Sequence, residues 1–351
     1  MYPLKLQAVY KEKIWGGQAL KEKFAKEIPN TSIGESWELM DDGQRSSRII
    51  NGELAGKELS EIIEKEASNI LGSLVSRKDY PRFPLLIKFL DAKDRLSVQV
   101  HPDDEYAAKY EGGELGKTEL WYIIEAQEGA KLICGLDSEV TKEEFKTAVE
   151  QGSLEEYLIE LEVEAGDVVF IPAGTVHSIK EGILVAEIQQ NSDLTYRIHD
   201  WERVDNDGQA RELHLESALE AINFGQNWAG KVEGLTIEGE GFVRNILVAC
   251  SSFIVESIEL EDIYCGSTLE TSFEVLLLLE GRGEIAYSLG KVEIEAGETV
   301  LLPAQMGDYQ LRGDCKVLRS YLKDLEQLEV ELKDKGYTVL ELNKIAGYFQ
   351  K

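Results

Sequence analysis

A gapless internal repeat constrains this chain more than any other feature. Residues 163–177, VEAGDVVFIPAGTVH, align with residues 294–308, IEAGETVLLPAQMGD. Each copy carries a Glu-Ala-Gly-acid turn, an apolar run and a Pro-Ala break. Upstream, Glu119-Leu-Trp-Tyr-Ile-Ile-Glu125 matches Glu274-Val-Leu-Leu-Leu-Leu-Glu280 in the same manner. A strand–turn–strand unit used twice predicts two domains sharing one fold. Length agrees, because 351 residues exceed one ordinary core.

Between and around the repeats, short apolar or alternating runs are bounded by Gly and Pro turns, so the chain reads as mainly β. Residues 2–11 alternate and predict one amphipathic strand. Others are expected from Gly34, within 84–102, at 119–124 and 131–136, and from 163 to 199. Helices are small insertions: 60–76 with Ser60 as a cap, 103–110 capped by Asp103 or Asp104, and 212–225. Thr141 with Glu144, and Ser153 with Glu156, are capping-box patterns that place two short helices within 141–160. Trp15 and Trp37 read as packing residues, and His214 as an ordinary exposed one. GQNWAG, residues 225–230, reads as a linker, dividing the chain into domains 1–228 and 229–351. Short strands with helical insets fit two jelly-roll barrels, and disfavour a parallel α/β protein, whose strands alternate with long helices.

Lys and Arg number 37 against 66 Asp and Glu, a net charge of −29. Such a chain repels nucleic acid and anionic membrane. It also repels phosphorylated substrates, so any anion site must be a local basic pocket. No apolar run approaches the roughly 20 residues of a membrane span, and no signal peptide is read at the N-terminus. Four scattered cysteines without a CxxC pair suit reduced thiols in a cytoplasmic protein. Nothing in the sequence fixes the number of subunits.

The chemistry concentrates in Leu96–Leu120, LSVQVHPDDEYAAKYEGGELGKTEL. On a strand, Val98 and Val100 face one way, and Gln99 and His101 the other. Glu119 follows, and His177 ends the first repeat copy. Histidine and carboxylate are common ligands of a borderline divalent ion, and a Gln carbonyl oxygen is a tolerable partner. The reading is one divalent metal held by Gln99, His101, Glu119 and His177. A lone histidine in a β protein is more often simply hydrogen-bonded; the constellation carries the reading. The second repeat copy has Asp308 where the first has His177, and no Gln-x-His-Pro precedes Glu274. The metal therefore belongs to the first half, and the second is a degenerate copy. Lys88 lies in an apolar run and either reaches solvent or contacts a phosphate or hydroxyl at a pocket floor. Lys117 is either a substrate contact or an exposed loop-edge residue.

Together, Trp15-Gly16-Gly17, Gly34-Glu35-Ser36-Trp37, Leu96-Ser-Val-Gln-Val-His-Pro102, Gly116-Lys-Thr-Glu-Leu-Trp121, Ile171-Pro-Ala-Gly-Thr-Val-His177 and the segment around Arg197 resemble the type I mannose-6-phosphate isomerases, zinc-dependent proteins with two cupin barrels. The resemblance spans about residues 8–203 and is like the shorter bacterial members. It implies one zinc per chain on Gln99, His101, Glu119 and His177, an active-site arginine at Arg197, and interconversion of mannose 6-phosphate and fructose 6-phosphate. The chemistry then needs a Lewis acid for charge building on sugar oxygens. Arg197 would give a planar donor to an oxyanion or hydroxyl. Lys117 and Lys88 would neutralise the substrate anion, and Ser97 would hydrogen-bond the phosphate. A metal-bound water, Lys117 and a pocket carboxylate all stand as candidates for the general base. Two other readings compete. An Fe(II) cupin oxygenase would use two histidines and a carboxylate, but Gln99 and the Lys117 and Arg197 cations argue against it. A sugar-binding protein with two cupin barrels would need a less costly polar lining.

Overall fold

The computed structural model describes residues 1–204, 208–225, 230–268 and 270–349. The chain opens with β1 (Leu4–Lys5), β2 (Val9–Gly17), α1 (Ala19–Phe24), β3 (Ile33–Leu39) and α2 (Leu59–Leu71). It continues through β4 (Leu85–Ala92), β5 (Val98–Val100), α3 (Asp104–Tyr110), β6 (Glu119–Ala126), β7 (Lys131–Leu136) and α4 (Lys142–Gln151). Then come β8 (Leu158–Glu162), β9 (Val168–Ile171), β10 (His177–Ile179), β11 (Ile183–Gln190), β12 (Tyr196–His199) and α5 (Leu215–Ala221). The remainder is β13 (Leu235–Gly239), β14 (Phe242–Ala249), β15 (Ile254–Leu260), β16 (Ile263–Ser267), β17 (Glu274–Tyr287), β18 (Gly290–Glu295), β19 (Thr299–Leu302), β20 (Asp308–Tyr321), α6 (Leu325–Asp334), α7 (Val339–Leu342) and β21 (Ala346–Gly347).

The architecture is mainly β. Strands form a six-stranded sheet in the order β2-β3-β4-β11-β6-β9, a five-stranded sheet β12-β5-β10-β7-β8, and a ten-stranded sheet built on β1-β19-β17-β20-β15-β14-β13. β14 and β21 run parallel. Contacts group the residues into a central unit, Tyr10–Ser36 with Lys88–Lys231, and a terminal unit, Met1–Val9 with Trp37–Ile87 and Val232–Lys351. The expected boundary near 228 lies close to the start of the last segment, while Met1–Val9 and Trp37–Ile87 group with the residues that follow it. The linker expected at 225–230 lies mostly outside the described residues. Among the described residues, no helix is long and apolar enough to cross a membrane, and all four cysteines are free.

The central unit buries one core between its two sheets, with Trp15, Leu90, Trp121, Ile123 and Val185 on one side and Leu132, Cys134 and Ile179 on the other. A second core lies between the five-stranded sheet and α4 and α5: Val98, Val100, Ile133, Phe145, Ile198 and Leu219. Alternation on β5 therefore works as the sequence suggests, burying its valines against helices and turning Gln99 to the opposite face. Gly16 has no room for a side chain, because a Cβ there would lie 2.4 Å from the Gly34 nitrogen. That close approach explains why the Trp-Gly-Gly and Gly-Glu-Ser segments both carry glycine.

The repeat is structural, and its register is the same in both units. Glu119 pairs with Ile171 across β6 and β9, and Glu274 with Leu302 across β17 and β19.

Several local expectations differ from the structure. Residues 2–11 form two strands, because β1 pairs with β19 while β2 enters the six-stranded sheet. α2 starts one residue before Ser60; its cap is Glu58, in a capping box with Glu61, and Ser60 instead exchanges hydrogen bonds with Ser46. Two caps stand as expected: α3 is capped by Asp103, and α4 by the Thr141–Glu144 box. Leu154–Tyr157 is only a 3-10 turn, and Ser153 makes no side-chain cap. α5 is shorter than the expected 212–225. The residue before it, His214, is half-buried, and its Nδ1 accepts from the Arg197 N–H at 3.1 Å.

Candidate metal centre

β5 lies between β12 and β10, so Gln99 has His177 as its cross-strand partner on one side and Arg197 on the other. His101 follows at the end of β5, and Glu119 opens β6. His101, Glu119 and His177 are all buried, and one ligand atom from each lies within 4.8 Å of the others. The imidazoles are 4.7 Å apart between ring centres.

Backbone carbonyls fix both tautomers. His101 Nδ1 is 2.7 Å from the Leu194 oxygen, and His177 Nδ1 is 2.8 Å from that of Thr175. Carbonyls only accept, so each Nδ1 carries the proton and each Nε2 turns a lone pair inward. Burial, then the nearby Lys117 charge, holds both rings neutral, His177 at about 3. Glu119 Oε1 is buried without a hydrogen-bond partner, 3.4 Å from His177 Nε2. Its Oε2 is held by the Lys117 ammonium, which lies 3.1 Å from His101 Nε2. Two imidazole nitrogens and an orphaned carboxylate oxygen thus converge beside the Lys117 ammonium, and these donors fit a divalent metal.

Beside this cluster lies a cavity of about 250 Å³ lined by Lys88, Ser97, Gln99, Lys117, Glu187 and Arg197, among others. It gathers every residue expected from the sequence to touch substrate. Lys88 and Lys117 are both buried, which removes the solvent-reaching and loop-edge alternatives. Gln99 and Lys117 join the cavity to the cluster: the Gln99 amide lies 3.2 Å from His177 Nε2. Ser97 Oγ is 3.4 Å from Gln99 Oε1. Arg197 is half-buried, and its Nη1 donates to the Glu212 carbonyl at 2.7 Å.

Glu187 is the residue that the sequence reading passed over. It is buried in the middle of β11, accepts from Trp121 Nε1 at 3.1 Å, pairs with Lys88 at 3.2 Å and lies 3.9 Å from Lys117. Burial pushes its carboxyl up, but Lys117 and Lys88 outweigh this and hold it at about 2. Burial pulls Lys88 down, yet Glu187, Glu35 and Asp193 together raise it. Lys117 goes the other way: burial and the Lys88 charge outweigh Glu187 and bring it to about 8. The available signal was a carboxylate inside the apolar run ILVAEIQQ, the counterpart of Lys88 inside PLLIKFL.

Fold and site define a mainly β protein with a buried metal-competent cluster beside a cationic cavity. Residues 3–129 match the catalytic domain of type I phosphomannose isomerases, and residues 244–322 match the cupin domain of mannose-6-phosphate isomerases. The mannose-6-phosphate isomerase ManA of Bacillus subtilis is 39% identical over 323 residues, 91% of this chain and 99% of that protein. The mannose-6-phosphate isomerase of Streptococcus mutans is 36% identical over 322 residues, 91% and 98% of the two chains. A crystal structure of mannose 6-phosphate isomerase from Bacillus subtilis superposes with a TM-score of 0.85 at 36% identity, covering 92% of this chain and 100% of that one. The chain belongs to the type I phosphomannose isomerase family.

Proposed function

We propose that this chain interconverts mannose 6-phosphate and fructose 6-phosphate, using one zinc ion held by Gln99, His101, Glu119 and His177. The observation that carries the reading is the convergence of two neutral imidazoles and an unpartnered carboxylate oxygen within 4.8 Å, joined through Gln99 and Lys117 to a cation-lined cavity. Two imidazole nitrogens and a carboxylate are a donor set that suits zinc. Gln99 is the weakest donor, and its amide must turn its oxygen inward.

A divalent ion here supplies Lewis acidity to the sugar oxygens at C1 and C2. Lys88 and Lys117 give an anion a local attraction within a chain of net charge −29, and Ser97 donates a hydroxyl to the phosphate. Arg197 presents a fixed planar donor to charge developing on oxygen. Lys117, at about 8, is suited to carry a proton between the two carbons. In sequence terms the metal-binding jelly-roll barrel falls within 1–228 and its degenerate copy within 229–351. The four free thiols and the hexose phosphate substrate suit the cytoplasm.

The test is a coupled assay for fructose 6-phosphate formed from mannose 6-phosphate, before and after chelation and with zinc restored. Activity should fall with chelator and return with zinc. A folded protein inactive with every divalent metal would overturn the reading in favour of a sugar-binding protein.

A further inference from the structure

The terminal unit holds a cavity of its own, about 220 Å³, lined among others by Arg244, Tyr264, Cys265, Glu274, Arg319 and Lys335. Its size is close to the 250 Å³ of the cavity beside the metal centre, and its position in the fold is equivalent. In the central unit Glu187 stands opposite Trp121, two residues beyond Glu119. In the terminal unit Arg319 stands opposite Leu276, two residues beyond Glu274. Strands β3-β4-β11-β6-β9 thus correspond to β14-β15-β20-β17-β19.

Across those strands the charges are inverted. Glu35, Lys88 and Glu187 lie on β3, β4 and β11, whereas the corresponding strands β14, β15 and β20 carry Arg244, Glu256 and Arg319. Arg319 Nη2 donates to Glu256 at 2.5 Å and Nη1 to Tyr264 at 2.8 Å, while its buried Nε has no acceptor. Arg244 Nε lies 3.2 Å from the same Glu256 oxygen. Glu256 also accepts from Tyr321 at 2.8 Å. One carboxylate therefore serves two guanidiniums. Glu274 lies 3.6 Å from Arg319 and takes a hydrogen bond from Tyr309 on Oε2 at 2.6 Å. A packing residue would need none of this, since an apolar cluster fills such a position more cheaply.

We propose that this cavity is a second binding site, taking a small hydroxylated anion of the phosphorylated or carboxylated polyol class. Arg244 and the exposed Lys335 supply the charge that attracts the anion. Glu274 and the Tyr264 hydroxyl supply partners for polyol hydroxyls. The site needs no metal, because Arg319 provides the fixed cation next to Glu274. It would stand whether or not the other cavity turns over hexose phosphate.

Cys265 lines the cavity and is exposed, so its alkylation reports occupancy directly. The probes are 6-phosphogluconate, inorganic phosphate and neutral mannose, added to the full-length metal-loaded protein, with labelling of Cys265 followed by peptide mass spectrometry. 6-Phosphogluconate should slow labelling at the lowest concentration, phosphate only at higher ones, and mannose not at all. Arg244→Ala should raise the half-protecting concentration about tenfold or more, the effect of losing one charge-assisted hydrogen bond. Lys335→Glu, at an exposed position, should raise it in the same direction without threatening the fold. Labelling unaffected by 6-phosphogluconate would overturn the proposal. So would protection that is equal in wild type and both variants, or that mannose provides equally well.

Discussion

Glu187→Gln is the most searching test of how the central cavity is held together. Glu187 is the leading counter-charge of Lys88, at 3.2 Å with both side chains about 5% exposed, with Glu35 and Asp193 adding to it. The amide keeps the size of the side chain and can still accept from Trp121, but leaves two lysines buried without that charge. Removing one partner of a buried pair destabilises by about 3–5 kcal/mol, whereas replacing both by neutral groups is often close to neutral. Glu187→Gln and Lys88→Met should therefore each lower stability by about 3 kcal/mol or more, a factor of about 100 in the folded fraction. The double variant should lose about 2 kcal/mol less than the sum of the two. Urea unfolding of the metal-free proteins, followed by tryptophan fluorescence, measures all three. Additivity within about 0.5 kcal/mol would show that the pair is not coupled and refute the electrostatic account of the cavity floor.

His177→Ala should remove bound metal and isomerase activity together; activity in a metal-free variant would exclude this residue as a ligand. Arg197→Ala should lower kcat by about 10²–10³, the usual effect of losing one donor to a developing oxyanion, with metal content by elemental analysis unchanged. Loss of metal instead would make Arg197 structural. Burial raises the Glu256 carboxyl, but Arg319 and Arg244 outweigh it, and its folded pKa lies below the ordinary 4.5. It therefore contributes stability above about pH 4.5 that is lost as pH falls through the lower folded value. Glu256→Gln should accordingly melt well below wild type at pH 7, with the gap narrowing under increasingly acid conditions; a gap constant with pH would contradict this.

The sequence was legible wherever one residue's chemistry implies its surroundings. Gln99 and His101 share a polar face because the two valines between and before them must be buried, and the histidine beyond Pro-Ala-Gly sits where a strand re-enters the sheet. Strand pairing was less accessible. Nothing within residues 2–11 tells that β1 pairs with β19 and that β2 does not, since that split is decided by partners hundreds of residues away. Ser60 was read as a cap by type, but Glu58 won because it satisfies the helix N-terminus and is itself answered by Glu61. Glu187 was hidden by its apolar neighbours, although a carboxylate within such a run needs a cation as surely as Lys88 needs an anion.

Among the described residues the metal-competent cluster lies in one repeat copy, and the charge at one strand position helps account for that. Both copies retain the glutamate, Glu119 and Glu274, in the same register. In the central unit the nearby position on β11 is the acid Glu187, paired with Lys88 at 3.2 Å; the cation on Glu119 is Lys117, an amine able to give up its proton, and Glu119 Oε1 has no hydrogen-bond partner. In the terminal unit that position is Arg319, a cation that cannot be neutralised by losing a proton. It lies 3.6 Å from Glu274 and opposes any divalent ion approaching that carboxylate. Placing a histidine at Asp308 alone would therefore not create a metal site, because the guanidinium beside Glu274 keeps its positive charge.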